Sequence, residues 1–218
     1  MTRVQSVTVT CPACGNEGNY DHYSSANVTL DPILKECVLD NSLFTFECAN
    51  CGESALVETD CLYHDMDKRL LYQLTPEADS DEQLKDVLQQ INDFGANLSF
   101  AREGYRIRVV PSLSDLKEKI IISDAELNDQ VIELLKIYVE AMAFEQAEDE
   151  EFIEVRFLSR KDDVLLFGVF GEGDFSGDAS IPIKVYEEEC LRHDFEDDEK
   201  CYLIDREWAL RKMGLSSV

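Results

Sequence analysis

Two cysteine pairs constrain this chain more than anything else in it: Cys11-Pro-Ala-Cys14 followed by Gly15, and Cys48-Ala-Asn-Cys51 followed by Gly52. Two sulfurs at this spacing either close a reversible disulfide or supply half of a metal site, and the two chemistries need different surroundings. A redox pair exposes its first sulfur at the N-terminus of a long helix, whose dipole lowers the thiol pKa. Here the first pair runs into Gly15-Asn-Glu-Gly-Asn19, a turn. A metal knuckle instead needs a tight turn and then a residue that tolerates positive φ, so that backbone amides face the sulfurs. Gly15 and Gly52 stand at that position. Cys11, Cys14, Cys48 and Cys51 are therefore expected to hold one structural Zn2+ in tetrahedral coordination, the alternative being four free thiols. Four cysteine ligands leave no open position for water or substrate, so such a site holds a fold and does not catalyse.

The pattern around the pairs predicts an α+β fold. Residues 3–10 alternate as a strand entering the first pair, 42–47 as a strand entering the second, and 54–59 as a strand leaving it. Between them Asp31 and Pro32 read as N-cap and first residue of a helix carrying Ile33, Leu34, Cys37 and Val38 at helical spacing, which makes Cys37 a core residue. This inserted helix accounts for a spacer, residues 15–47, that exceeds a minimal zinc ribbon. Further helices are expected at 80–95, where Ser80 and Gln83 form a capping box, at 114–121, and from Ser123 with Glu126 as its partner, with Leu127, Val131, Leu134, Leu135, Tyr138 and Met142 on one face. Beyond residue 150 strands are expected at 151–158, 163–170, 180–186 and 201–204. A glycine-rich hairpin loop at 171–178 and a terminal helix between Asp205 and Gly214 complete this small antiparallel meander. The organisation predicted is a zinc-binding domain at 1–147 and a meander plus helix at 148–218, packed on the first.

The cysteine pairs, with the Asn27-Val-Thr-Leu-Asp-Pro32 element between them and Leu62-Tyr-His-Asp-Met-Asp-Lys68 after them, resemble the CpXC family of bacterial and archaeal proteins. The resemblance covers approximately the first 140 residues and does not reach the meander. The second pair departs from the family pattern in carrying Ala49 where proline is expected. Metal ligation needs no proline, so the zinc assignment stands. The resemblance carries no biochemical activity with it.

Charge narrows the partners. With 46 Asp and Glu against 20 Lys and Arg, a formal net charge of -26, the field repels phosphate backbones and anionic lipids and disfavours a nucleic-acid role. Arg102, Arg106 and Arg108 form too small a cluster to reverse that. The acidic runs at 148–151 and 186–200 read as solvated surface, or as a contact for a basic protein partner or a cation. No apolar run has the length of a membrane span and the N-terminus lacks the order of an export signal, so a cytoplasmic protein with reduced or metal-bound thiols is expected.

A second candidate site is a pocket near Tyr63, His64, Asp65 and Asp67, where imidazole and carboxylates a few residues apart can share a proton or a cation. Cys61 with His64, and Cys190 with His193 and Cys201, have ligand spacing but lack the knuckle glycines. The function expected is an interaction or regulatory module with a structural zinc site and an acidic surface. An enzyme or ligand-binding protein built on the His64 pocket is the alternative.

Overall fold

The alternating valines and hydroxyl residues of the N-terminus form β1 (Arg3–Thr10), which folds back through the first cysteine pair onto β2 (Glu17–Asn27). The computed structural model describes residues 2–76, 104–146, 153–171, 174–195 and 202–215. After β2 come α1 (Ile33–Leu39), a single 3-10 turn at Ser42–Phe44, β3 (Thr45–Glu47) and β4 (Ser54–Leu56). Then follow β5 (Cys61–Asp65), β6 (Leu70–Leu74), β7 (Arg106–Val110), α2 (Leu113–Asp124) and α3 (Asp129–Gln146). The last elements are β8 (Ile153–Lys161), β9 (Val164–Gly171), β10 (Asp174–Pro182), α4 (Ile183–Arg192) and α5 (Arg206–Lys212).

Packing divides the chain into two units, Met1–Lys117 and Glu118–Val218. The first holds a mixed sheet in the order β1-β2-β5-β6-β7, with β3 and β4 as a separate two-stranded ribbon. The β1–β2 and β5–β6 pairs are antiparallel, whereas β2–β5 and β6–β7 are parallel. In the second unit β10, β9 and β8 form an antiparallel meander. Its inner face, Val155, Phe157, Leu165, Phe167 and Ile181, is buried against Ile122, Leu127, Ile132, Leu135 and Val139. At about 1.5–3 kcal/mol for each large apolar side chain fully removed from water, this cluster is the dominant stabiliser of the unit. Leu134 and Ile137 of α3 pack instead on Trp208, Ala209 and Leu210 of α5, so α3 is covered on two sides. The expected boundary near residue 147 falls in a stretch outside the described residues.

The α+β class stands, with several local corrections. Residues 183–192 are helix α4, not the end of a strand, because the extended Pro182 (φ -60°, ψ 140°) closes β10 and turns the chain into a helix. Ile183, Val185 and Tyr186 then pack on the meander core, and their strand-favouring side chains, β-branched or aromatic, concealed the helix. Asp174 to Gly177, expected in a loop, belong to β10. Tyr202 to Ile204 are not a strand. Ser123 and Glu126 end α2 instead of opening α3. Glu126 takes φ 58° and Leu127 N donates to Ile122 O at 3.1 Å, while Asn128 Oδ1 accepts from Gln130 N at 2.9 Å at the true start. Met142 and Ile33, expected on the apolar faces of their helices, are 41% and 56% exposed, and Cys37, expected in the core, is half-buried. The N-cap of α1 is Pro32, without a side-chain cap bond. Residues 42–44 are a 3-10 turn. The helix expected at 80–95 lies outside the described residues. Asp205 does cap α5, accepting from Trp208 N at 2.8 Å, and Gly214 ends that segment at φ 71°.

Candidate metal centre

Both knuckles repeat one backbone pattern. Gly15 N donates to Cys11 O at 2.9 Å and Cys11 N to Asn16 O at 2.9 Å; Gly52 N donates to Cys48 O at 2.8 Å and Cys48 N to Glu53 O at 2.8 Å. Gly15 and Gly52 take φ 70° and 75°, the left-handed conformation in which a side chain is strained. The first knuckle joins β1 to β2 and the second joins β3 to β4, so each is the tip of a hairpin. Between the tips lies a small core of Cys11, Cys48, Tyr20 and Phe46, flanked by Val7, Val9, Ala55 and Val57. Gly18 is required beneath it, since an added Cβ would stand 2.8 Å from Phe46 Cε2. Tyr20 ties β2 to the 3-10 turn by donating from its hydroxyl to Leu43 O at 2.8 Å.

This packing brings Cys11, Cys14, Cys48 and Cys51 together, with all four sulfurs within 4.8 Å of one another. Two contacts cross between the knuckles: Cys11 Sγ to Cys51 Sγ and Cys14 Sγ to Cys48 Sγ are each 3.7 Å. A disulfide needs about 2.05 Å. A tetrahedron with metal–sulfur bonds of about 2.3 Å has edges of about 3.8 Å. The four cysteines are thus placed to hold a metal ion. Cys11 and Cys48 are buried, while Cys14 and Cys51 face solvent.

Four thiols this close cannot all ionise without a cation, and the cluster divides the charge unevenly. Cys14 is drawn down from 9.0 to about 6, first by the Asn50 side chain and then by the Asn16 amide and the neighbouring sulfur of Cys51. Asn50 Nδ2 lies 3.6 Å from Cys14 Sγ. The Glu53 amide favours the Cys51 thiolate, but Cys14, burial, Cys48 and Cys11 together outweigh it and push this thiol up to about 12. The two solvent-facing thiols are thus pushed in opposite directions. A divalent cation removes this conflict and allows four thiolates. Asn50 was not singled out in the sequence; its position between the cysteines of the second pair was the available signal.

The residues of the other candidate pocket do not converge. Strand β5 alternates, so Tyr63 and Asp65 are buried on one face and half-buried His64 stands on the other. Tyr63 stacks on Tyr72 with ring centroids 6.1 Å apart. Asp65 Oδ1 accepts from Lys68 N at 2.9 Å within the turn after the strand, and exposed Asp67 donates its amide to Thr29 Oγ1 at 3.3 Å. His64 has a different neighbourhood, with Nδ1 3.3 Å from Asn27 Nδ2 and Nε2 3.5 Å from the Tyr105 hydroxyl. Burial lowers its pKa. Cys61 shares the face of Tyr63, so it and His64 point apart. Near the C-terminus His193 Nε2 is 3.2 Å from Glu189 Oε2, and Cys201 lies outside the described residues.

No helix among the described residues is long and apolar enough to cross a membrane. The family model described as CpXC protein matches residues 9–136, a span that contains both knuckles. No curated protein and no solved structure matches the chain.

Proposed function

The chain belongs to the CpXC family, and from that premise we propose that it is an interaction or regulatory module whose four-cysteine centre binds structural Zn2+ through Cys11, Cys14, Cys48 and Cys51. The observation that carries this is the pair of 3.7 Å sulfur–sulfur edges between the knuckles, which suits a closed tetrahedral thiolate site. Zinc and iron both accept this ligand set. Zinc is favoured because it has no redox chemistry to shield and tolerates the solvent-facing Cys14 and Cys51. With every ligand a protein sulfur, the metal supplies cross-linking and no catalysis.

The surface role follows from charge. A formal net charge of -26 raises the local concentration of basic partners and repels nucleic acid and anionic membranes. A cytoplasmic location belongs to the same proposal, since reduced thiols are required for metal binding. The alternative, a ligand-binding or catalytic pocket of Tyr63, His64, Asp65 and Asp67, rests on the Asn27–His64–Tyr105 contacts alone.

Protein purified without chelator is expected to contain one zinc and no iron per chain by elemental analysis. After exchange with Co2+ it should give the intense visible bands of tetrahedral thiolate coordination. Iron in place of zinc, or a cobalt spectrum of octahedral type, would overturn the assignment.

A further inference from the structure

Three of the sheet edges in this protein are managed as exposed edges usually are, by charge, proline, bulges or cover. Strand β10 carries Asp174, Asp178 and Pro182 and a register shift between Phe175 and Gly177. The opposite edge, β8, carries Glu154, Arg156, Arg160 and Lys161 and a shift between Phe157 and Ser159. At the far end of the five-stranded sheet β7 is covered, with Ile107, Arg108, Val109 and Val110 buried. The ribbon strands β3 and β4 are protected by shortness, three residues each.

Strand β1 carries such devices only at its first residue, Arg3, and among the described residues no strand pairs with its outer side. It is the other end of the five-stranded sheet, and from Val4 to Thr10 it contains no charge and no proline and keeps regular register with β2. Its irregularity is confined to Arg3/Val4. Val4, Gln5, Ser6, Thr8 and Thr10 are exposed, and Val4 is 50% so. Alternate backbone groups along such a strand point away from β2 and await another strand.

The cross-strand register specifies what fits there. Thr10 lies opposite Glu17, Thr8 opposite Asn19 and Ser6 opposite Asp21, so one face of the hairpin presents small hydroxyls backed by two exposed carboxylates. Val7 and Val9, opposite Tyr20 and Gly18, form the other face and join the knuckle core. With strands about 4.8 Å apart, a residue added beside β1 sits about 10 Å from Glu17 or Asp21, across only Thr or Ser. A lysine stem spans that gap. Residues on its opposite face would extend the row of Val7 and Val9.

We propose that the open edge of β1 is a docking site for an extended basic peptide segment of a partner protein, with Lys or Arg alternating with β-branched residues, which adds a strand to the sheet. The proposal rests on the basic-partner reading above and assigns it a place. A second copy of this chain is the less suitable occupant, because it would bring Glu17 and Asp21 and a net charge of -26 against their own kind.

The test uses the full-length metal-loaded protein and a labelled, end-capped nine-residue peptide alternating lysine and valine, followed by anisotropy. Two further peptides carry N-methyl groups along one or the other backbone edge. An added strand uses one edge, so one methylated peptide should bind like the parent and the other should lose binding at least tenfold. Thr8→Lys, on the exposed face, should also weaken the parent peptide at least tenfold without changing metal content. If both methylated peptides bind equally well, or Thr8→Lys has no effect, strand addition is excluded. A dimer that Thr8→Lys dissociates would give the edge to a second copy and overturn the proposal. Metal measured on the same samples separates the two ideas. Metal-free protein that still binds the peptide removes the zinc assignment alone, and metal-loaded protein that ignores it removes the docking site alone.

Discussion

Beneath the knuckles the buried core consists of two aromatic rings and two cysteines, Tyr20, Phe46, Cys11 and Cys48, whereas the meander buries ten side chains between its strands and two helices. Half of the first core is cysteine. The strands that hold it, β3 and β4, are three residues long, too short to persist through their own hydrogen bonds. The second region is ordered by apolar burial and by a buried ion network. There Lys136 Nζ is 3.1 Å from both Glu118 Oε2 and Glu133 Oε1, and these two carboxylates outweigh burial in raising the lysine's pKa. One molecule thus combines a region placed to be ordered by metal coordination with a region ordered by the hydrophobic effect. The two should respond to different perturbations.

The strongest way to break this contrast is to remove the metal. Cys48→Ser, or chelation of the parent, should unfold the knuckle hairpins locally, because binding free energy is folding free energy where the described core is this small. Hydrogen exchange should show amides around 9–18 and 45–55 losing at least tenfold in protection, with α3, β8 and β9 unchanged. Unchanged protection at the knuckles after confirmed metal loss would remove the structural role.

The reciprocal perturbation is Phe167→Ala. Phe167 is fully buried and meets Phe157 edge to face with centroids 5.6 Å apart, so the truncation should destabilise Glu118–Val218 by about 3–5 kcal/mol. Metal content should not change. Denaturant unfolding followed by Trp208 fluorescence, with metal stoichiometry on the same variant, checks both halves of that statement.

A smaller effect sharpens the picture within the centre itself. In the folded knuckles Cys14 is lowered to about 6 and Cys51 raised to about 12. Asn50→Ala, which removes the side chain 3.6 Å from Cys14 Sγ, should therefore shift the pH midpoint of metal binding upward, read by zinc uptake across a pH series. The sign for folding follows from a pKa lowered from 9.0. The thiolate's contribution is fully present above the unfolded value and is lost as pH falls through about 6. Metal affinity should weaken in the same direction, since protons compete for the sulfurs. An unchanged midpoint would show that Asn50 does not stabilise the Cys14 thiolate.

The knuckles, β1 and the capped end of α5 were legible in the sequence because each depends on neighbours within a few residues. Gly15 and Gly52 follow their cysteines where positive φ is needed, Val7 and Val9 alternate, and Asp205 precedes its helix by one position. Segment 180–186 misled for the same reason. Ser-Ile-Pro-Ile-Lys-Val-Tyr alternates like a strand, and only packing of Ile183, Val185 and Tyr186 onto the meander shows that the second half is helical. At Ser123 and Glu126 a capping pattern and a helix end share the same residue types, and the tertiary path selects the latter.

The sequence by itself determined the chemistry of the centre: four soft ligands in two tight turns, whose geometry is set by bonds along the backbone. It also determined the sign of the field, because charge is a sum over residues and needs no coordinates. Only the tertiary structure decided that the sulfurs pair across the knuckles, that Cys14 and Cys51 are the exposed members, and that His64 stands on the opposite face from Tyr63 and Asp65. The open flank of β1 is of the same kind, since an edge exists only by reference to the strands beside it. Such features arise from sheet order, register and burial, which join residues distant in the chain.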